Sequence, residues 1–103
     1  MVDLKELQKK VYENKVNKGF NVTDIPQEFC LAYGEMAEAY EAYRKNKCDL
    51  GEELADVAIY LLGISEILGI DLEKEMLHKI NKNIHREYKV INGVSTRVKE
   101  YEE

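Results

Sequence analysis

The sequence has no tryptophan, one proline and two cysteines, and no apolar run approaches the roughly 18 residues of a membrane-spanning helix. Its N-terminus also lacks the apolar segment of a secretory signal. Cys30 and Cys48 have no metal-type spacing, so we expect reduced thiols. One proline and six glycines are too few turn formers for an all-β fold. These absences predict a cytoplasmic helical protein that does not contact membranes.

Positive charge is in deficit, with 15 basic against 20 acidic residues and a formal net charge of −5. Such a surface repels the phosphate backbone, so a nucleic-acid polymer is an unsuitable partner. The 103 residues, 45% of them hydrophobic, predict a single domain over residues 1–103 with a modest core.

Glycine, proline and capping residues predict four helices, which span about residues 4–17, 26–45, 50–68 and 72–88. The link between helices two and three is short, so these helices must be antiparallel neighbours. Asp49 is expected to cap helix three, with Glu52 as its capping-box partner. Asn92-Gly93 indicates a tight turn and a small C-terminal hairpin.

Helices two and three each have an apolar stripe at helical spacing, which we interpret as core. In helix two the stripe contains Phe29, Tyr33, Met36, Tyr40 and Tyr43. In helix three it contains Leu50, Leu54, Val57, Leu61, Ile64 and Leu68. Both helices also have a second, functional face, which is more than a chain of this length can cover. We therefore expect an oligomer.

Four acidic residues lie on that second face, as the pairs Glu35 and Glu38 in helix two and Glu53 and Asp56 in helix three. A solvated acidic face normally has Lys or Arg three or four residues away, but none of the four acids has one. Counted back from the tight link, the two pairs fall level on the antiparallel helices. Four carboxylates without a base favour a hard divalent cation, Mg²⁺ or Mn²⁺.

The segments Gly34-Glu-Met-Ala-Glu38 and Glu53-Leu-Ala-Asp56-Val-Ala-Ile-Tyr60 resemble the ExxE…ExxD pattern of MazG-like nucleotide pyrophosphohydrolases, the all-α NTP pyrophosphatase superfamily. The resemblance covers about residues 4–92. It implies an all-α four-helix bundle that forms a homodimer or homotetramer. It also implies hydrolysis of a nucleoside triphosphate to the monophosphate and pyrophosphate, with Mg²⁺ held by the four acids, in nucleotide-pool house-cleaning.

The same resemblance assigns nucleotide contacts. Tyr60, Lys79 and Asn83 match positions that contact nucleotide in dCTP-pyrophosphatase-like members, and Arg86 lies at the basic end of the same helix four. The tryptophan that those members place near the base has no counterpart here. Phe20 is the nearest aromatic residue, and it is either the base-stacking residue or a local packing plug.

Two other classes of protein remain open. One is a non-catalytic helical interaction module whose acids form a surface face. The other is a di-metal oxidoreductase bundle, which is disfavoured because neither acid pair contains a histidine and we interpret His78 and His85 as surface residues. The preferred base and sugar stay open.

Overall fold

The computed structural model describes residues 1–99, which form four helices and one two-stranded antiparallel sheet. The elements are α1 (Leu4–Asn17), α2 (Ile25–Arg44), α3 (Leu50–Ile67), α4 (Leu72–His85), β1 (Glu87–Ile91) and β2 (Val94–Lys99). The prediction of an all-α four-helix fold with a small C-terminal hairpin is confirmed. Among the described helices, none combines the length and the apolar character needed to cross a bilayer.

The helix boundaries follow from local chemistry. The Asp24 carboxylate accepts a hydrogen bond from the backbone N–H of Gln27 at 3.1 Å, and Pro26 lies in the first turn of α2, where its missing N–H leaves no bond unmade. Gly19 and Gly69 follow the ends of α1 and α3 with φ of 70° and 71°. This left-handed conformation suits glycine because it has no Cβ.

Two predicted boundaries differ from the structure. Asp49 precedes α3, but its side chain makes no capping hydrogen bond. Its ψ of 14° departs from the extended conformation that lets a capping side chain reach the first free N–H groups. Helix α4 ends at His85 and not near Tyr88, because the chain enters β1 at Glu87.

Helix α3 packs against both α1 and α2. The buried apolar residues are Ala39 and Ala42 of α2, with Leu62 and Ile64 of α3. The prediction that the aromatic stripe of α2 forms the core of the chain is therefore wrong. All five of its residues are exposed, from 44% for Phe29 to 74% for Tyr33. Helix α2 instead buries the small residues of its opposite face, because alanine allows the two helix backbones to approach closely.

On α3 the predicted stripe is divided. Ile64 is buried and Leu50 and Val57 are half-buried, whereas Leu54, Leu61 and Leu68 are about half exposed. Its exposed members and the aromatic stripe of α2 are large apolar side chains that residues 1–99 leave exposed. We call Met36, Tyr40, Tyr43, Leu50 and Leu54, which line a shallow cavity of about 440 Å³, the apolar groove.

A buried polar residue joins α1 to the segment after α3. The Gln8 side chain donates a hydrogen bond to the carbonyl oxygen of Ile70 at 2.9 Å and accepts one from the N–H of Leu72 at 2.8 Å. Gly63 permits tight packing of α3 against α1, since a Cβ there would lie 3.3 Å from the Val11 side chain of α1. These contacts hold α1 on α3.

The chain divides into two compact units, Met1–Leu72 and a smaller one that begins at Glu73. In the second unit β1 and β2 pair around a turn formed by Asn92 and Gly93, whose φ values are 52° and 77°. Positive φ at both central residues is typical of the hairpin turn that Asn-Gly favours. The expectation of one domain over residues 1–103 stays a prediction.

Candidate functional site

Three of the four acids come together in the first unit. Glu35 and Glu38 of α2 and Glu53 of α3 each offer one carboxylate oxygen, and these oxygens lie within 4.8 Å of one another. The two pairs are level because the short connection between α2 and α3 makes the helices antiparallel neighbours. We call Glu35, Glu38 and Glu53 the acid cluster.

Asp56, the fourth acid, lies one turn after Glu53 on α3 and is half-buried. Its carboxylate is not within the 4.8 Å group, but its charge acts on both Glu35 and Glu53. The structure therefore places Asp56 beside the acid cluster and not in it.

The acid cluster is not ion-paired within the first unit. Within the unit Met1–Leu72, no lysine or arginine forms an ion pair with Glu35, Glu38 or Glu53. Glu41, one turn further along α2, is different, because it pairs with Lys45 at 2.8 Å and with Arg44 at 3.2 Å. Glu41 is thus an ordinary ion-paired surface acid, as its spacing predicts.

Crowding of the carboxylates changes their acidity. Burial, followed by the charges of Glu38 and Asp56, raises the pKa of Glu35 above the ordinary glutamate value of 4.5. Burial and the charge of Glu38 likewise raise the pKa of Glu53. Both shifts show a cluster in which ionised carboxylates are unfavourable unless a cation is added.

The donor set fits a hard divalent cation. Glu35 Oε2 and Glu53 Oε2 are buried and have no hydrogen-bond partner, so each retains the lone pairs that a cation would use. A polar cavity of about 280 Å³ opens beside the cluster, and it is lined by Glu38, Glu41, Ala42, Lys47, Asp49 and Glu53. Carboxylate oxygens alone favour Mg²⁺ or Mn²⁺ over softer metals.

A second cavity, of about 320 Å³, lies between α1, the loop after it, α2 and α3. It brings together Phe20 and Tyr60, the two aromatic residues predicted to contact the nucleotide, with Lys15 and Glu28. Phe20 is 54% exposed, so its ring is accessible to a ligand. We call this space the aromatic cavity.

The aromatic cavity and the acid cluster are neighbours. Tyr60 lies one turn after Asp56 on α3, and Glu28 lies two turns before Glu35 on α2, about 10 Å along the helix axis. Burial raises the pKa of Tyr60, and the charges of Glu28 and Glu35 raise it further. The phenol therefore stays protonated at neutral pH and can donate a hydrogen bond.

Sequence reasoning missed the pair Lys15 and Glu28. Glu28 is 1% exposed, and its carboxylate pairs with the Lys15 ammonium at 2.5 Å. An acid in the first turn of α2 is usually a surface residue that favours the helix dipole, so its position gave no reason to expect burial. One feature of the sequence did indicate burial of Lys15. It lies four residues after Val11, and so continues the apolar stripe of α1 formed by Leu4, Leu7 and Val11.

The remaining predicted substrate residues, Lys79, Asn83 and Arg86, belong to the second unit. There, Asn83 Oδ1 accepts a hydrogen bond from Arg86 Nη1 at 3.0 Å, one turn along the chain at the end of α4. Their nucleotide contacts stay a prediction.

Comparison with known proteins identifies the chain through its sequence. A family model for the MazG nucleotide pyrophosphohydrolase domain matches residues 27–91, more than half of the 103 residues, and the match includes the acid cluster and Asp56. Neither the curated proteins nor the solved structures that were compared gave a match. Enzymes of this kind are typically metal-dependent, which agrees with a cluster of carboxylates that lacks a protein cation. The chain belongs to the MazG nucleotide pyrophosphohydrolase family.

Proposed function

We propose that this protein hydrolyses a nucleoside triphosphate, either an NTP or a dNTP, to the nucleoside monophosphate and pyrophosphate in the presence of Mg²⁺ or Mn²⁺. The observation that carries the proposal is the acid cluster, in which three carboxylates from two helices meet without a neutralising base in a MazG-family chain. Removal of surplus or non-standard nucleotides is a role consistent with this reaction.

Each acid has a proposed task. Glu35, Glu38 and Glu53 would bind the cation through oxygens that are already close together, and Asp56 would join them by a change of side-chain rotamer. A bound Mg²⁺ supplies charge neutralisation for phosphate oxygens and orients a water molecule for in-line attack. The chain is acidic overall, so an anionic substrate has particular need of that neutralisation.

The aromatic cavity is the proposed base site. Phe20 and Tyr60 offer aromatic surface on which a base can stack, and stacking contributes roughly 1–3 kcal/mol. The separation of about 10 Å along α2 between Glu28 in this cavity and Glu35 in the cluster suits a nucleotide lying along the helix. The family resemblance supports Lys79 and Asn83 as nucleotide contacts, and we assign Arg86 to the phosphate tail because it lies at the basic end of helix four.

We also propose that the protein is a homodimer or homotetramer. The apolar groove and the rest of the aromatic stripe expose large side chains that monomeric proteins rarely leave in contact with water as one patch. Tyr40 and Tyr43 stack with ring centroids 6.5 Å apart, which gives the surface a defined shape. A second copy presents the same face and is a suitable partner for it.

The test is a panel of NTPs and dNTPs with Mg²⁺, scored for release of pyrophosphate against phosphate. Glu53→Gln should abolish release of pyrophosphate, whereas Glu13→Gln, on an exposed acid of α1, should retain it. In thermal melting at increasing Mg²⁺ concentration, Mg²⁺ should stabilise the wild type and the Glu13→Gln variant but not Glu53→Gln. No pyrophosphate from any nucleotide, with no stabilisation by Mg²⁺, would favour the non-catalytic interaction module instead.

A further inference from the structure

The aromatic cavity contains a buried ion pair for which the proposed reaction provides no task. The Glu28 side chain is almost completely buried, and both of its oxygens are occupied. Oε1 accepts from Lys15 Nζ, and Oε2 accepts from Asn21 Nδ2 at 3.1 Å. Burying two charges costs more than their attraction returns in many proteins, so a pair in the wall of a cavity points to a use beyond stability.

Lys15 is the member of the pair that can bind a ligand. An ammonium group carries three donors, and among residues 1–99 its one hydrogen-bond acceptor is Glu28. The ammonium also lies 5.5 Å from the centre of the Tyr60 ring, which places it beside the aromatic surface proposed for the base. Glu28 is 1% exposed and already engaged, so the polar group that the pair offers to a ligand is a donor.

A fixed donor distinguishes nucleobases by their pairing edge. Uracil and thymine have a carbonyl at C4, and guanine and hypoxanthine have one at C6, and this oxygen accepts a hydrogen bond. At the same positions cytosine and adenine have an amino group, which donates. An amino group facing the ammonium would set donor against donor and leave both unsatisfied. A site built around a hydrogen bond discriminates strongly against an analogue that cannot make it.

We propose that Lys15, held in place by Glu28, is a specificity-determining residue that selects nucleotides whose base has a carbonyl, in place of an amino group, at C4 of a pyrimidine or C6 of a purine. Glu28 is a positioning residue, because it acts on the ligand through Lys15. The proposal rests on the proposed nucleotide hydrolysis for the class of ligand, but it concerns binding of the base and not the chemistry at phosphorus.

Binding of nucleoside monophosphates tests the proposal without turnover. Isothermal titration calorimetry with Mg²⁺ should show dUMP binding to the wild type about tenfold more tightly than dCMP, the effect of one hydrogen bond. The purine pair dIMP and dAMP, which also differ in a carbonyl against an amino group, should give a preference in the same direction.

The matched variants remove the donor with little change of shape. Lys15→Met combined with Glu28→Gln keeps both stems, leaves no buried charge unpaired, and retains a carbonyl oxygen that accepts from Asn21. This double variant should bind dUMP and dCMP within about twofold of each other. Lys9→Met, the same substitution at an exposed position of α1, should keep the wild-type ratio.

Failure of this proposal is separable from failure of the hydrolysis. Equal or tighter binding of dCMP by the wild type, no binding of either monophosphate, or an unchanged ratio in the double variant would overturn the role of Lys15 even if triphosphates are hydrolysed. A Lys15-dependent preference for dUMP in a protein that releases no pyrophosphate would support that role and overturn the proposed reaction. If the double variant does not fold, the wild-type affinity ratios decide: a preference for dUMP over dCMP and for dIMP over dAMP supports the proposal, and the lack of either preference overturns it.

Discussion

Glu35 and Glu53 lie on different helices, yet each has a buried Oε2 atom without a hydrogen-bond partner in the same acid cluster. Their carboxylates therefore repel each other in the metal-free fold. The effect of this repulsion on the melting temperature can be measured before any substrate is known.

The stability of the metal-free protein should fall as pH rises. Glu35 and Glu53 have a pKa above 4.5 in the folded protein, so the folded state holds their protons more firmly than the unfolded state does. Their contribution to stability is complete below the unfolded pKa and is lost as pH passes through the folded one. In EDTA, the contribution of these two groups to the melting temperature should therefore decrease as the pH is raised from 4.5 towards neutrality.

Two comparisons isolate that effect. Glu35→Gln should reduce the pH dependence of the melting temperature, and saturating Mg²⁺ should raise the melting temperature most at the higher pH. The same slope in Glu35→Gln and in the wild type would contradict the assignment to the cluster.

Removing a single carboxylate of the proposed metal site should remove most turnover. Glu38→Gln and Asp56→Asn each delete one charged oxygen ligand, and we expect a loss of activity of at least about tenfold with weaker binding of Mg²⁺. The same changes should leave the metal-free melting temperature equal or higher, because carboxylate repulsion decreases. Assays of pyrophosphate release at several Mg²⁺ concentrations measure the loss, and wild-type activity in either variant would refute the metal assignment.

The polar end of α4 should affect kinetics and not stability. Lys79→Ala and Asn83→Ala are expected to lower kcat/KM with little change in melting temperature, since Asn83 is exposed and its bond to Arg86 is a surface contact of small energetic value. Lys74→Ala, on an exposed lysine near the start of α4, is the matched control. A large fall in melting temperature with normal kinetics would show that these residues are structural.

Phe20 should contribute to base binding. We expect Phe20→Ala to raise KM for the preferred nucleotide by about tenfold, because a stacking surface is lost, while the mass from light scattering stays constant. The half-exposed ring contributes little to the core, so the melting temperature should change little. An unchanged KM in an oligomer that dissociates would identify Phe20 as an interface residue instead.

Tyr40 should contribute to assembly. It is 63% exposed and stacks on Tyr43 in the apolar groove. Tyr40→Glu places a charge there, so we expect the mass measured by light scattering to decrease to that of the single chain. Tyr88→Glu, on an exposed residue of β1, provides a comparison outside the apolar groove. A Tyr40→Glu protein with the wild-type oligomeric mass would show that copies meet through another surface.

The sequence predicted where α1, α2 and α3 begin and end, because caps, Pro26 and the glycines act locally, but it did not predict that α4 ends at His85. It also predicted that the two acid pairs would be level, since the short link leaves α2 and α3 no other arrangement. It could not show which face of α2 is inside. Apolar periodicity marks a surface that avoids water, but the same pattern serves a core within one chain and a contact between two.

Other features depend on distant partners and leave no local pattern. The burial of Glu28 requires Lys15 from α1 and Asn21 from the following loop, and no spacing rule joins these three positions. Asp49 was assigned as a cap on residue type alone, whereas the backbone at that point turns its carboxylate away from the free N–H groups.

The small residues between α2 and α3 also determine how the acids can act. Ala39 follows Glu38 directly and Ala42 lies one turn after it. Both are buried, and each is 3% exposed. Side chains at a contact determine the distance between helix axes, which is about 8 Å for small residues and about 10 Å for large ones. The spacing of ligands from two helices therefore depends on two methyl groups that belong to neither acid pair. A larger residue at either position would increase the distance between the helix axes. It would separate the acids of α2 from those of α3 without replacing any of them.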